Sequence, residues 1–177
     1  MERKLLSLSL PMIVAGCISQ PPGLAVKVPE NLQPPDAEVQ LMTVIARGAQ
    51  IYECRASKGE RQTMEWAFVA PEADLFDAKG QKVGRHYAGP NWQSVDGSNV
   101  LGKTKATAAA PRAGAVPWLL LTTKSTGPDG AFAKVTSVQR INTSGGTAPA
   151  TTDCTARLMG KHRRVAYTAN YVMFQHR

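Results

Sequence analysis

The chain has 177 residues, of which 43% are hydrophobic and 19% are charged. That is enough apolar material for one domain with a core, and it excludes both a wholly disordered chain and two large catalytic domains. The formal net charge of +8 predicts attraction to anionic lipids or polyanionic polymers.

The first 17 residues have the layout of a secretory signal. Arg3 and Lys4 precede a mostly apolar run over residues 5–15, which is much shorter than the roughly 20 residues that a membrane-spanning helix needs. The run ends in Val14-Ala15-Gly16-Cys17, which resembles the lipobox of bacterial lipoproteins. We therefore expect residues 1–16 to be a cleaved signal peptide and Cys17 to carry fatty acyl chains such as palmitate. The alternative is an ordinary signal peptide in which the cysteine has no role.

An acylated Cys17 would anchor the mature chain in a lipid bilayer. Two or three acyl chains hold a protein on a membrane stably, whereas one chain binds only marginally. The next residue is Ile18, not the Asp that resembles an inner-membrane retention signal, so we expect the outer membrane, with the domain facing the periplasm or the cell surface. An exported basic chain is expected to meet envelope polysaccharide or another anionic polymer, and not nucleic acid.

A proline-rich segment follows the cysteine. Five prolines fall within residues 17–35, at positions 21, 22, 29, 34 and 35. Such a stretch is typically extended and semi-rigid. We predict a Pro-rich tether over residues 17–35, with its second half, from residue 28, placed to pack on the domain surface. One folded domain is expected over residues 36–177.

The rest of the chain has the rhythm of strands and turns. Apolar and β-branched segments alternate with clusters of Gly, Pro, Asn and Asp, and no long amphipathic helix is predicted. Parallel strands need helical crossovers that this chain cannot supply, so we predict an all-β fold, an antiparallel β-sandwich or jelly-roll-like barrel with long loops. Nine strands are predicted, over residues 42–46, 50–56, 64–70, 73–77, 81–87, 98–106, 117–124, 131–141 and 164–174.

Two cysteines remain once Cys17 is assigned to lipid. Cys54 and Cys154 are expected to form a disulfide in an oxidising compartment. The bridge would close a loop of about 100 residues, for which the chain-entropy model gives on the order of 4.7 kcal/mol. The alternative, a thiol nucleophile or metal ligand, lacks a Cys-x-x-Cys spacing or a nearby histidine. Neither a metal nor a cofactor is expected from the sequence.

Candidate site residues are densest over residues 84–98, which contain His86, Tyr87, Trp92, Asp96 and Ser98. Three interpretations compete. In the first, Gly89-Pro90 and Asp96-Gly97 shape two hairpin turns, Tyr87 and Trp92 pack, and His86 bonds to backbone. In the second, Trp92 and Tyr87 form a flat platform for a sugar ring. In the third, His86 is a general base oriented by Asp96, with Ser98 as nucleophile, although Ser98 is not in a Gly-x-Ser-x-Gly elbow.

Several longer phrases carry a family resemblance. QIYECR at 50–55, WAFVAPEADLFDAKGQKVGRHYAGPNW at 66–92 and SVQRINTSGGTAP at 137–149 resemble an uncharacterised family of bacterial and fungal proteins, catalogued as domain of unknown function 3455. The resemblance implies one unit from about Val28 to the C-terminus, often exported, and it implies no established activity. Its signature residues lie in two clusters, the first being His86, Gly89, Pro90, Trp92, Asp96, Gly97 and Ser98 and the second Gln139, Arg140, Thr143, Gly145 and Gly146.

Arg140 adds a charged group to the candidate site. Its guanidinium offers a planar fork of donors to a carboxylate or phosphate, and the alternative is an internal ion pair. We expect an exported lipoprotein whose disulfide-bridged domain acts as a binding or scaffolding module and recognises carbohydrate or another envelope polymer. The ligand-binding residues would be His86, Tyr87, Trp92, Asp96, Ser98 and Arg140. The alternative function is an exported hydrolase or lyase that uses His86 and Asp96.

Overall fold

Eight antiparallel strands form a closed barrel in the computed structural model, which describes residues 26–58 and 63–177. Each strand pairs with its neighbours in the chain, and the last strand pairs with the first. The all-β, antiparallel prediction is confirmed, and the form adopted is a barrel in simple meander order. The strands are β1 (Glu38–Ala56), β2 (Met64–Phe76), β3 (Lys82–Tyr87), β4 (Asn91–Ser94), β5 (Asn99–Ala108), β6 (Trp118–Ser125), β7 (Ser137–Gly145) and β8 (His162–His176).

The first two strands are longer than the sequence predicts. Segments 42–46 and 50–56 belong to β1, and segments 64–70 and 73–77 belong mainly to β2. Gly48 does not end β1, because its missing side chain lets β2 approach closely: a Cβ there would lie 2.1 Å from the Glu72 carbonyl oxygen. The short strand β4 was not predicted, since its four residues lie between two strong turn signals.

Residues 131–136 were predicted as strand and instead belong to the connection before β7. Phe132 and Val135 in this connection are only 1% and 2% exposed, and they belong to the main core cluster. Their apolar character therefore reflects burial at the end of the barrel and not strand pairing. We call this end, where β1 begins and β8 ends, the lower end. The upper end carries the connections β1–β2, β3–β4, β5–β6 and β7–β8.

Part of the predicted tether packs against the outside of the barrel. Residues Glu30–Leu32 form a 3-10 turn, and Leu32 is fully buried. Gln139 Nε2 donates a hydrogen bond of 2.7 Å to the Leu32 carbonyl oxygen. The apolar side chains that Leu32 joins come from three neighbouring strands and include Trp118, Leu120, Ile141, Val172 and Phe174. The predicted signal peptide, Cys17 and the first part of the predicted tether lie outside the described residues.

The predicted disulfide is present. Cys54 on β1 and Cys154 in the β7–β8 connection are bonded across 100 residues of sequence. Both sulfurs are buried in a small cluster with Tyr52 and Trp66, at the upper end of the barrel. In the part of the chain that the structure describes, no helix is long and apolar enough to cross a membrane.

Candidate functional site

On one side of the upper end the barrel wall is shorter, because the strands there have few residues. Strands β3 and β4 have six and four residues, whereas β1 and β2 have 19 and 13. β3 pairs with β2 only over residues 73–76 of β2, and β4 pairs with β5 only over residues 99–101 of β5. The upper parts of β2 and β5 therefore have no strand paired between them in the described residues. A cavity of about 280 Å³ lies at this gap.

A bulge in β2 shapes the rim of the cavity. Ile51 pairs with Ala70 and Tyr52 pairs with Phe68, so Val69 is the extra residue. Because a bulge changes the direction of neighbouring side chains, Phe68 and Val69 both line the cavity, and both stay about half exposed. Apolar side chains thus flank the opening.

Three aromatic rings line the inner part of the cavity. His86 stacks on Trp92 with ring centroids 4.4 Å apart, and Tyr171 meets their rings edge-on at 5.0 and 5.3 Å. All three side chains are almost fully buried. Gly102 makes room for this cluster, because a Cβ at that position would lie 2.6 Å from the Trp92 ring.

His86 is a neutral imidazole. Its Nδ1 lies 2.8 Å from the Asn91 carbonyl oxygen, and a carbonyl only accepts hydrogen bonds, so Nδ1 carries the proton. The pKa of His86 is lowered to about 3, mainly by burial and also by the Arg140 charge, while the bond to Asn91 opposes both effects. Nε2 is then left with a lone pair, and no hydrogen bond to it is found in the described chain.

Arg140 is the one charged residue that lines the cavity within the described residues. Its Nε and Nη2 donate to the Pro117 carbonyl oxygen at 3.1 and 2.8 Å. The predicted alternative of an internal ion pair is not found for Arg140 in residues 26–58 and 63–177, where the ion pairs are Arg55–Glu65, Lys82–Asp74 and Arg164–Glu72. Burial raises the pKa of Tyr171, while the adjacent Arg140 guanidinium opposes the rise.

Gln50 contributes an amide with an unused donor. The side chain is 2% exposed and lines the cavity, and its Nε2 has no hydrogen-bond partner in the described structure. A buried donor left unpaired costs roughly 1–3 kcal/mol. A ligand that offers an oxygen acceptor would remove this cost.

Asp96 and Ser98 lie at the lower end of the barrel, away from the cavity. The Asp96 carboxylate accepts hydrogen bonds from Ser98 N, Ser98 Oγ and Ala131 N at 2.9, 2.6 and 2.8 Å. These bonds hold the pKa of Asp96 well below its usual range. Ser98 Oγ in turn accepts from Phe132 N at 3.0 Å. The two side chains therefore fasten the lower connection to the barrel.

The triad considered from the sequence is not assembled. Asp96 bonds to Ser98 and Ala131, and the hydrogen bond of His86 is to Asn91, so no hydrogen bond joins His86 to either Asp96 or Ser98 in the described residues. The sequence places the three residues within one short segment, but β3 ends at the upper end and the β4–β5 turn lies at the lower end. The three residues are therefore close in sequence, but His86 lies at the opposite end of the barrel from Asp96 and Ser98.

Tyr87 is also outside the cavity. Adjacent residues of a strand point to opposite faces, so Tyr87 faces outward where His86 faces inward. Its ring lies under the Arg85 guanidinium at 5.0 Å, and its hydroxyl donates to Asn99 Oδ1 at 3.4 Å. Trp92, at 1% exposure, has His86 against its ring. The exposed platform of Trp92 and Tyr87 is therefore not formed.

Sequence reasoning missed much of the cavity wall, including Gln50, Phe68, Val69 and Tyr171. Tyr167, Ala169, Tyr171 and Met173 alternate along β8 and belong to the main core cluster, which places Tyr171 on the inner face of the strand. No comparable signal marks Phe68 and Val69, because the bulge that turns both toward the opening depends on the register of β1 against β2.

The fold and the cavity together define a closed antiparallel β-barrel. Its cavity opens through the wall near the upper end, above the short strands β3 and β4. No group of three or more His, Cys, Asp or Glu side chains suited to a metal ion occurs in the described residues. The chain belongs to the family whose model is described as "Protein of unknown function (DUF3455)", which matches residues 34–175. No curated protein and no solved structure matches the chain.

Proposed function

We propose that this protein is an exported, lipid-anchored binding protein of the bacterial envelope, and that its barrel holds a small, largely apolar ligand in the upper cavity. The observation that carries the proposal is the composition of the cavity wall. Aromatic and aliphatic side chains surround a few polar groups with unused hydrogen-bonding capacity, which is the usual make-up of a small-molecule site. Gln50 Nε2 is the clearest of these groups.

Binding is better supported than hydrolysis or lyase chemistry. The His86 imidazole has no acidic partner among the described residues, and its low pKa makes it a weak base at neutral pH. Asp96 is engaged in fastening the lower end. A general acid–base pair therefore has no geometric support in the cavity.

The size of the cavity favours a small molecule over the flat face of a polymer. Its volume of about 280 Å³ lies near the lower end of the roughly 300–1,000 Å³ typical of ligand sites. An envelope polysaccharide would be recognised through a single terminal residue that enters the opening. The buried Trp92 offers no open face on which successive sugar rings could stack.

The export and anchor parts of the proposal rest on other observations. The segment Val14-Ala15-Gly16-Cys17 resembles a lipobox, and the buried Cys54–Cys154 bridge suits an oxidising compartment. Together they support an envelope location, and the ligand of the barrel would then be a molecule of that compartment.

A neutral fluorescent probe tests the binding proposal. N-phenyl-1-naphthylamine is titrated into the mature chain carrying Cys17→Ser, which stays in solution without detergent. We expect fluorescence to rise with saturable binding, and Val69→Trp, which fills the rim, to weaken binding at least about tenfold. Val95→Trp is the matched control, because Val95 is an exposed valine at 73% exposure in the β4–β5 turn. Equal binding by the two variants, or no saturable binding, would refute the proposal.

A further inference from the structure

We infer that the ligand of the upper cavity is an apolar carboxylic acid bound as its carboxylate, with the carboxylate on Arg140 and Gln50 and the apolar part toward Phe68 and Val69. This inference rests on the proposed binding function and specifies its ligand class. Four observations carry it, and they concern the guanidinium, the amide, the charge balance and the opening.

The Arg140 guanidinium is held ready for a planar anion. A guanidinium has five N–H donors, and the edge formed by Nε and Nη2 is directed at the Pro117 carbonyl oxygen. The remaining edge, with one N–H on each Nη atom, matches the two oxygens of a carboxylate. Because Pro117 fixes the side chain, little rotamer entropy would be lost when an anion binds.

The neutral oxygen beside Arg140 is a weaker partner than a carboxylate would be. The Tyr171 hydroxyl lies near the guanidinium, and it shares a hydrogen bond of 3.3 Å with the Tyr167 hydroxyl. Charge-assisted hydrogen bonds are roughly twice as strong as neutral ones. An entering carboxylate would therefore improve the hydrogen bonding of Arg140.

Gln50 supplies a further donor in the same cavity. Its Nε2 is a buried amide nitrogen without a partner in the described structure, and an amide N–H can only donate. An acceptor oxygen is what this group lacks. A carboxylate meets that need and the charge of Arg140 at once, whereas an alcohol or an amine meets at most one of them.

The charge balance of the cavity also favours an anion. None of the described lining residues is acidic, His86 is neutral, and Arg140 is the one charge. The number of available donors suits a carboxylate better than a phosphate, whose three oxygens usually bind several charged or backbone donors.

The opening indicates where the rest of the ligand lies. Phe68 and Val69 are about half exposed at the rim, and Leu119 and Leu121 line the same cavity. Burying apolar ligand surface there is favourable in proportion to the area removed from water. A carboxylate with an aliphatic or aromatic body fits both the polar groups of Arg140 and Gln50 and the apolar opening.

Displacement of the neutral probe tests the inference with octanoate and octanol, which share a chain and differ in the head group. At pH 7.5 and low salt we expect octanoate to displace N-phenyl-1-naphthylamine at least about tenfold more effectively than octanol. Arg140→Met should abolish that preference and leave octanol displacement within about twofold of wild type. Arg85→Met is the matched control, because Arg85 bonds to Gln93 on the outer face of the barrel.

The outcomes separate this inference from the proposed function. Equal displacement by octanol and octanoate in the wild-type protein would overturn the inferred preference for a carboxylate, and the proposed binding function would remain. An unchanged preference for octanoate in Arg140→Met would overturn the role of Arg140. If Arg140→Met does not fold, Arg140→Lys, which keeps the charge and lacks the planar fork, should reduce the preference about threefold to tenfold. Absence of probe binding to the wild type would contradict the proposed function itself.

Discussion

At the scale of single residues, His86 links the candidate site to the stability of the barrel. The imidazole is stacked on Trp92 and buried, which lowers its pKa to about 3 in the folded state, whereas an exposed histidine titrates near pH 6.5. Between these two values the unfolded chain binds a proton that the folded chain does not. Stability is therefore lost as the pH falls below about 6.5, and His86 contributes no pH dependence above that value.

The His86 effect can be measured directly. We expect the free energy of unfolding to fall by up to about 1.4 kcal/mol per pH unit more steeply in the wild type than in His86→Phe as pH decreases from 6.5. Phenylalanine keeps an aromatic ring against Trp92 and cannot be protonated. Urea unfolding at several pH values gives both slopes, and carboxylates that titrate in the same range contribute equally to each protein. Parallel curves would show that His86 is not buried as the neutral form.

At the scale of elements, local patterns identified most strands, and long-range packing decided the rest. Seven of the eight strands overlap predicted segments, because β-branched and apolar runs between turn residues are a local signal. The short β4 strand, the opening above the β3–β4 hairpin and the bulge at Val69 were beyond prediction. Each depends on which strands become neighbours when the barrel closes. For the same reason the cavity joins Gln50, Trp92 and Arg140 from three separate strands.

The segment around Leu32 provides a test at this scale. Leu32 is fully buried against β6, β7 and β8, although it lies in a proline-rich stretch that composition alone describes as a tether. We expect Leu32→Ala to reduce the free energy of unfolding by about 2–5 kcal/mol, as for other buried leucines. Val26→Ala is the control, since Val26 is 46% exposed in the same segment and should change stability by less than about 0.5 kcal/mol. Similar small changes in both variants would show that the segment does not contribute to the fold.

At the scale of the whole molecule, the disulfide and the proposed anchor at Cys17 are both consistent with the proposed role in the envelope. The chain carries 21 basic and 13 acidic residues, an excess of positive charge that favours attraction to anionic surfaces. Such attraction is screened by salt, whereas acyl chains hold a protein independently of ionic strength. This difference allows the anchor to be tested separately from charge.

Cys17→Ser should release the protein from membranes. We expect the wild type to sediment with the membrane fraction in high salt and the variant to appear in the soluble envelope fraction, because serine cannot accept the thioether-linked lipid. Ser19→Ala, two residues further on, is the matched control and should remain in the membrane fraction. Sedimentation of the Cys17→Ser variant with membranes in high salt would contradict a lipid anchor at this position.

The burial of Leu32 also limits the distance between the barrel and a bilayer that would hold Cys17. For a chain held at Cys17, the linker to the barrel consists of the 15 peptide units between Cys17 and Leu32. A fully extended chain covers about 3.3–3.6 Å per residue. The attachment point on the barrel is therefore confined to within roughly 50 Å of the lipid surface. With Cys17 in a bilayer, the barrel would stay within reach of the headgroup layer, and amphipathic molecules leaving that layer would meet the opening at a raised local concentration.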